Sequence, residues 1–172
     1  MKRLLFIIIL FIGYTVNSQD RDNPLLYPPS MDRDIPNITL TTLEGTKFNL
    51  TELTNYKNPI ILTLWATWCK PCKKELNNIH EVYEEWQLET GVEVFAVSTD
   101  DSRSSAKVKP YADAMGWNFK IFRDSNGDLA RALNVSSIPH LFLIKEGKII
   151  YEHKGYIEGD EEELYKKIKS IN

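Results

Sequence analysis

The sequence predicts an α/β fold, in which helices cover both faces of a central mixed β-sheet. Two observations lead to this fold class. Segments with the short apolar or alternating pattern of strands alternate with longer segments of helical periodicity along the 172 residues. The two strongly apolar segments 60–66 and 92–97 are also separated by an amphipathic stretch, which is the pattern of a right-handed parallel β–α–β unit.

A β-hairpin is predicted on either side of this unit. Glu44-Gly45 and Glu146-Gly147 each stand between two short segments with strand character, and glycine at such a position indicates a turn. The predicted hairpin strands are 38–40, 47–50, 141–144 and 148–152, and a further short strand is predicted at 119–122. The second hairpin brings antiparallel strands to the parallel unit, so the sheet is expected to be mixed.

Helical periodicity is strongest over 73–90, where apolar residues recur at intervals of three and four. These residues are Leu76, Ile79, Tyr83 and Trp86. Gly91 is expected to end the helix. Three shorter helices are predicted at 104–115, 129–133 and 161–171. Pro110 is expected to kink the first of these, and Asp160 with Glu163 to form a capping box at the start of the last.

The N-terminal segment has the layout of a secretory signal peptide. Lys2 and Arg3 precede an apolar run over 4–12, and residues 16–18 supply cleavage positions. We therefore predict a signal peptide at 1–18, a loose polar leader at 19–34 and one folded domain at 35–172, in a protein exported to the periplasm. An uncleaved membrane anchor is the alternative, although the apolar run is shorter than the ~20 residues of a spanning helix.

Charge and histidine placement argue against several classes of function. A net charge of −3 and a pI of about 5.7 give no reason to expect a nucleic-acid partner. The three histidines, His80, His140 and His153, are dispersed, so the cysteines lack the further ligands of a zinc site. A c-type haem requires histidine directly after the second cysteine, where this chain has Lys73. We expect neither a metal nor an organic cofactor.

Cys69 and Cys72 are the only cysteines of the chain, and they lie at the predicted junction of a buried strand and a helix. Unpaired N–H groups and the macrodipole of the helix N-terminus favour a thiolate at Cys69. Cys72, about one turn further on, is close enough to form a disulfide with it. The pair is therefore a candidate redox dithiol. A purely structural bridge is the alternative, although so short a loop constrains the unfolded chain little.

The run Trp-Ala-Thr-Trp-Cys-Lys-Pro-Cys-Lys-Lys-Glu from Trp65 to Glu75 is followed about seventy residues later by Ile138-Pro139. With these motifs the chain resembles the exported thiol–disulfide oxidoreductases of the TlpA/ResA type, within the AhpC/TSA–redoxin superfamily. The resemblance covers residues 35–172. It implies a thioredoxin-like fold with an N-terminal β-hairpin and an inserted β–α element at 92–115.

The resemblance also implies roles for four residues. Cys69 corresponds to the attacking nucleophile and Cys72 to the resolving thiol, and together they form the redox disulfide. Pro139 corresponds to the cis-proline that faces this disulfide. Glu75 corresponds to a glutamate that handles protons near the dithiol, although a solvated first-turn acid is the alternative. Thr63 stands where thioredoxin has a buried aspartate, which leaves Glu75 as the expected proton carrier.

Five residues around these four are candidates for contact with a client protein. Trp68 adjoins the nucleophile and is expected to form part of a shallow apolar contact surface. Lys70, Pro71 and Ile138 are expected to contribute to the same surface. His140 follows the proline, where the relatives usually have threonine. It is either a group that stabilises the thiolate or moves protons, or a packed strand residue.

These residues predict a thiol–disulfide oxidoreductase. Reduced Cys69 would attack a disulfide in a client protein, with apocytochrome c among the candidates, and Cys72 would release the reduced client. A membrane or periplasmic thiol protein would supply the electrons. Two alternatives are a peroxiredoxin-like peroxidase and a non-enzymatic module that binds clients through its thiols. Peroxiredoxins resemble one another in a Thr-x-x-Cys motif around the peroxidatic thiol. The peroxidase is disfavoured because Thr67 stands two residues, rather than three, before Cys69.

Overall fold

The computed structural model describes residues 33–171, which contain eight strands and four helices. The strands are β1 (Arg33–Asp34), β2 (Thr39–Thr42), β3 (Lys47–Asn49), β4 (Ile60–Trp65), β5 (Glu93–Ser98), β6 (Lys120–Arg123), β7 (His140–Lys145) and β8 (Lys148–Lys154). The helices are α1 (Lys70–Thr90), α2 (Val108–Met115), α3 (Asp128–Ala132) and α4 (Asp160–Ser170). Two 3₁₀ segments, Leu50–Asn55 and Ser105–Lys107, precede β4 and α2.

The strands of the described residues form one mixed sheet in the order β1–β8–β7–β4–β5–β6–β2–β3. β4 pairs in parallel with β5, and β5 with β6, whereas the other neighbours are antiparallel. The two predicted hairpins are the pairs β2–β3 and β7–β8. This arrangement confirms the predicted α/β class, with its N-terminal hairpin and with β5 and α2 as the inserted element.

Helices cover both faces of the sheet, as the sequence predicts. The apolar residues of α1, α2 and α4 form a cluster on one face, and this cluster includes Cys69 and Cys72. α3 and the 3₁₀ segment Leu50–Asn55 pack on the other face. Side chains of β4 alternate between the faces, with Trp65 on the α1 side and Leu64 on the other. Every second residue of β4, counted from Trp65, therefore shares a face with the dithiol.

α1 begins at Lys70, three residues earlier than the sequence pattern predicts, and Cys69 is its N-cap. Pro71 lies in the first turn, where a helix needs no N–H donor and the fixed φ of proline fits. The predicted apolar stripe of this helix is buried, as expected. Gly91 ends the helix in the left-handed conformation, with φ of 68°, and its N–H donates to the Gln87 carbonyl. The dithiol is thus anchored to the start of the longest helix in residues 33–171.

The predicted signal peptide at 1–18 and residues 19–32 of the predicted leader lie outside the described residues. Arg33-Asp34, the last two residues of that leader, form β1 and pair with β8 at the sheet edge. Two residues of the predicted leader are therefore part of the sheet. Within residues 33–171, no helix combines the length and the apolar character that crossing a membrane requires.

The predicted helix over 104–115 is divided in the structure. The Ser105–Lys107 segment is a 3₁₀ turn, and α2 starts anew at Val108. Pro110 consequently lies in the first turn of α2, where its missing N–H would have no intrahelical acceptor. The expected kink inside a continuous helix is wrong for this reason.

The predicted capping box at the last helix is also wrong. The N-cap of α4 is Gly159, with φ of 103° and no side-chain hydrogen bond, and Asp160 is the first helical residue. The Asp160 carboxylate instead accepts a hydrogen bond from the Ile157 N–H at 2.7 Å and lies 3.0 Å from His153 Nε2. A tertiary contact with β8 has taken the place of the local cap.

Candidate active site

The candidate active site lies where β4 ends and α1 begins. Cys69 and Cys72 form a disulfide, with their Cα atoms 5.4 Å apart. The backbone N–H of Cys72 donates to Cys69 Sγ at 3.3 Å. In this oxidised state Cys69 is 5% exposed and Cys72 is fully buried. In the disulfide form Cys69 is therefore only slightly more exposed than Cys72.

An exposed surface surrounds the cysteines. Trp68 is 67% exposed, although it is a large apolar side chain, and Lys70 and Pro71 are exposed as well. A shallow groove runs between Trp68 and the segment 135–138, which ends with Ile138. The four contact candidates Trp68, Lys70, Pro71 and Ile138 thus lie around the N-terminus of α1, where the sequence analysis expects them.

Pro139 lies beside the same junction. The Ile138–Pro139 peptide bond is cis, as the resemblance implies. Pro139 is buried, and its carbonyl accepts a hydrogen bond from the Gly155 N–H at 2.9 Å. The next residue, His140, pairs with Leu64 in the antiparallel register of β7 and β4. Pro139 therefore lies at the edge of the sheet from which the β4–α1 junction emerges.

His140 is directed away from the cysteines. Its ring stacks on Phe142, with centroids 4.6 Å apart, and its Nε2 lies 2.8 Å from Glu152 Oε1. Phe142 belongs to the core on the face opposite the dithiol, and strand residues two apart share a face. Burial lowers the pKa of His140, although the Glu152 carboxylate opposes this effect. Of the two alternatives for His140, the geometry fits the packed strand residue.

Glu75 lies one helical turn after Cys72 and is buried on the same face of the sheet. Its carboxyl group is only 2% exposed, so the alternative of a solvated first-turn acid is wrong. Thr63 Oγ1 donates a hydrogen bond to Glu75 Oε2 at 2.8 Å. The residue that replaces the thioredoxin aspartate is thus the hydrogen-bond partner of Glu75.

Burial gives Glu75 unusual acid–base properties. The pKa of Glu75 is raised to about 8. The largest cause is the loss of water around the carboxyl group, which the hydrogen bond from Thr63 opposes and the negative charge of Asp160 reinforces. A carboxyl group that titrates near neutral pH can both give and take a proton at ordinary pH. The site therefore has an acid–base group next to its dithiol.

Asp100 is a further residue of the site that the sequence analysis does not identify. It is fully buried after β5, and its carboxylate accepts hydrogen bonds from the Thr67 N–H at 2.8 Å and the Thr67 hydroxyl at 2.7 Å. The Ser98 hydroxyl donates to the same carboxylate at 2.8 Å. Asp100 thereby fixes the loop between β4 and Cys69.

A signal for Asp100 is present in the sequence. The acidic residue comes two positions after the end of the second buried strand, β5. Carboxyl ends of adjacent parallel strands meet at one edge of a sheet, which is where α/β proteins place their sites. The predicted β–α–β unit therefore already implied that Asp100 and the cysteines lie at the same edge.

Comparison with known proteins agrees with this geometry. Residues 31–153 match the AhpC/TSA family. The chain belongs to that family. It is similar to the thiol-disulfide oxidoreductase ResA of Bacillus thuringiensis subsp. konkukian (strain 97-27), with 36% identity over 141 residues that cover 81% of this chain and 77% of the relative.

Solved structures of similar chains confirm the thioredoxin-like fold. A thioredoxin-like protein from Porphyromonas gingivalis shares 47% identity and a TM-score of 0.72, over 80% of this chain and 90% of that one. StoA from Bacillus subtilis shares 25% identity and a TM-score of 0.59, over 76% of this chain and 99% of that one. Family, relatives and fold together make this AhpC/TSA-family protein a thioredoxin-like thiol–disulfide oxidoreductase.

The described side chains also bear on metal binding. Among residues 33–171, no three His, Cys, Asp or Glu side chains are placed to hold one ion. The two sulfurs that a metal would use are joined to each other in the disulfide.

The burial of Glu75 predicts a pH-dependent stability. An acid whose pKa is higher in the folded than in the unfolded state binds its proton more tightly when folded, so its ionisation opposes folding. This cost is absent below the ordinary value of 4.5 and grows as the pH rises to about 8. Relative to the Glu75→Gln variant, the wild-type free energy of unfolding should fall by up to ~1.4 kcal/mol per pH unit in this window.

Denaturant unfolding of the oxidised protein at several pH values measures this difference, because the disulfide keeps the cysteines from titrating. The Glu84→Gln variant is the matched control, since Glu84 is an exposed glutamate on the same helix. A difference between wild type and Glu75→Gln that stays constant from pH 5 to 8, roughly the window of the raised pKa, contradicts the burial argument.

Asp100→Asn should destabilise the protein and slow its thiol chemistry. The asparagine NH2 group would replace one acceptor oxygen and would face the Thr67 or Ser98 donors. Leaving such buried donors unpaired costs about 1–3 kcal/mol. Unfolding free energy and the rate of Cys69 alkylation in the reduced protein are the two measurements. Asp113→Asn, a change of an exposed carboxylate on α2 that is paired with Lys109, should alter both far less. Equal effects of the two substitutions would remove Asp100 from its assigned role.

Proposed function

We propose that the protein is a periplasmic reductase that transfers electrons from the Cys69-Lys70-Pro71-Cys72 dithiol to disulfides of client proteins. The observation that carries this proposal is the placement of the cysteine pair. Cys69 caps α1, Cys72 lies behind it in the core, and the titratable carboxyl group of Glu75 follows one turn later. A nucleophile, a resolving thiol and a proton acceptor are thus on one helix.

In the first step the Cys69 thiolate attacks a client disulfide. The N–H of Cys72, which points at Cys69 Sγ, and the helix N-terminus favour this anion. A bond forms between Cys69 Sγ and one client sulfur, while the other client sulfur leaves as a thiolate. The product is a mixed disulfide between the protein and its client.

In the second step Cys72 resolves the mixed disulfide. Ionised Glu75 takes the proton of the Cys72 thiol, and the resulting thiolate attacks Cys69 Sγ. The Cys69–Cys72 disulfide forms as the bond to the client breaks, and the client leaves with both sulfurs reduced. Because burial raises the pKa of Glu75 to about 8, both its protonated and ionised forms are populated near neutral pH.

The client would lie across the exposed surface around Cys69. Trp68 offers an apolar face, and the groove that ends at Ile138 can hold an extended segment next to Pro139. Lys70 and Pro71 border the same surface. We do not include His140 among the contacts, because its ring is buried against Phe142 and Glu152.

The direction of electron flow is inferred from the Cys-x-Pro-Cys arrangement, which resembles the reducing members of the fold, and the one exposed charge between the cysteines opposes it only weakly. Lys70 stabilises the thiolate and so favours the reduced dithiol, but an exposed ion contributes about 1 kcal/mol or less. For a two-electron couple, ~1.4 kcal/mol corresponds to ~30 mV, whereas thioredoxin and the oxidant DsbA differ by ~150 mV. Lys70 therefore cannot turn a reducing site into a strongly oxidising one.

The setting of the reaction is inferred from the N-terminal sequence. The basic and apolar layout of residues 1–18 supports export, which would place a reductase in an otherwise oxidising periplasm. Its electrons would then come from a membrane or periplasmic thiol protein. Apocytochrome c is a suitable client, since its Cys-x-x-Cys-His motif can form a disulfide that must be reduced before haem attachment.

Trapping with a Cys72→Ala variant tests the proposal. The variant should accumulate a mixed disulfide through Cys69 when mixed with an oxidised Cys-x-x-Cys-His peptide, and mass spectrometry identifies the linked residue. Cys69→Ala is the matched control and should form no such adduct. Iodoacetamide should also alkylate Cys69 before Cys72 in the reduced wild type. Adducts through Cys72, or peroxide consumption that outpaces peptide reduction, would contradict the reductase.

A further inference from the structure

A small cavity connects the buried Glu75 with the surface between α1, α4 and β8. Its polar lining side chains are Glu75, Tyr151, His153, Tyr156, Asp160 and Glu161. Glu75 is 2% exposed, whereas the side chains of His153 and Asp160 are 33% and 30% exposed. The cavity is therefore lined both by a buried carboxyl group and by a partly exposed histidine–aspartate pair.

His153 and Asp160 are held as a pair. His153 Nε2 lies 3.0 Å from Asp160 Oδ2, and the Ile157 N–H donates to the same oxygen at 2.7 Å. The Tyr151 hydroxyl lies 3.4 Å from His153 Nδ1, so both ring nitrogens have a polar neighbour. Histidine is the side chain that most readily exchanges protons near neutral pH. A pair of this kind can pass a proton between a cavity and the solvent.

The other polar side chains around Glu75 are held in hydrogen bonds, and Glu161 accepts from the Tyr156 hydroxyl and the Gly159 N–H. Thr63 commits its hydroxyl hydrogen to Glu75 and is fully buried in the sheet. Tyr156 donates its hydroxyl hydrogen to Glu161, and burial together with that carboxylate raises the pKa of Tyr156 far above its usual range. The remaining lining tyrosine, Tyr151, also has a raised pKa because of burial.

We propose that the His153–Asp160 pair exchanges the proton of Glu75 with solvent during each turnover of the dithiol. This inference rests on the proposed function, and it adds two residues outside the Cys-x-x-Cys motif to the reaction. The groups that face Glu75 are the dithiol on α1, Thr63 on β4, Tyr151 and His153 on β8, Tyr156, and Asp160 and Glu161 on α4.

The step balances as follows. Cys72 gives its thiol proton to Glu75 and attacks Cys69, so the Cys69–Cys72 bond forms while the bond from Cys69 to the bound sulfur breaks. The leaving thiolate takes a proton from solvent, and two electrons have passed from the dithiol to the incoming disulfide. Because burial raises the pKa of Glu75 to about 8, most of it is protonated at neutral pH, and its proton must first cross the cavity to the Asp160–His153 pair before Glu75 can accept the thiol proton. The proton taken from Cys72 leaves by the same route.

The geometry near Asp160 supports this route. The negative charge of Asp160 raises the pKa of Glu75, which places the two carboxyl groups within electrostatic reach of each other. Asp160 does not cap α4, because its carboxylate is turned toward Ile157 and His153. The departure from the predicted capping box is thus part of the proposed route.

Buffer rescue of a His153→Gln variant tests the proposal. Reduced protein is mixed with excess glutathione disulfide in weakly buffered solution at neutral pH, and disulfide formation is followed by tryptophan fluorescence. The exchange rate of the variant should fall about tenfold or more, a loss typical of a removed proton-transfer group, and added imidazole should restore it. In a Glu75→Gln background, His153→Gln should cause no further loss.

His80→Gln is the matched control, since His80 is a half-buried histidine on α1 that does not line the cavity. If His153→Gln unfolds the protein, Asp160→Asn is used instead, with Glu162→Gln as its control in the first turn of α4. A wild-type rate, a loss that imidazole does not restore, or an equal loss in the Glu75→Gln background would overturn the proposal. Glutathione exchange requires only a reactive dithiol, so a failure of client reduction would refute the proposed function while leaving this comparison valid.

Discussion

The N-terminus of α1 meets the carboxyl end of β4 at Cys69, and the rest of the site depends on this junction. Capping of α1 by Cys69 aims the Cys72 N–H at the sulfur. Asp100, two residues after the neighbouring parallel strand β5, fixes the loop through Thr67. The register of β7 against β4 brings Pro139 to the same edge of the sheet. Sheet topology therefore brings the dithiol, Asp100 and Pro139 to one edge of the sheet.

Burial of Glu75 is the second constraint, and it links stability with function. A carboxyl group in the core is costly to ionise, and Thr63 compensates with only one hydrogen bond. The same burial raises the pKa of Glu75 to about 8, which suits a group that must take and return a proton near neutral pH. The α1–α4 cavity then decides how that proton reaches solvent, because the sheet side of Glu75 is closed.

The sequence predicts those parts of the fold that depend on local pattern. The stripe on α1 and the apolar strand β4 follow from periodicity, since each face must be either buried or exposed. The hairpin turns follow from glycine, which adopts positive φ without strain. Side-chain contacts between residues far apart in sequence cannot be predicted from a local pattern. The bonds from Thr67 to Asp100 and from Thr63 to Glu75 join different elements, and the contact of Asp160 with His153 overrides a local capping preference. Only the common edge of parallel strands pointed toward Asp100.

The reduction potential of the Cys69–Cys72 couple tests the central claim most directly. The protein is equilibrated with mixtures of reduced and oxidised glutathione at neutral pH, and the reduced fraction is quantified by alkylation and mass spectrometry. A reductase whose only charge between the cysteines is the exposed Lys70 should have a potential near the roughly −270 mV of thioredoxin. A value near the roughly −120 mV of DsbA would mean a strongly oxidising site and would contradict the account.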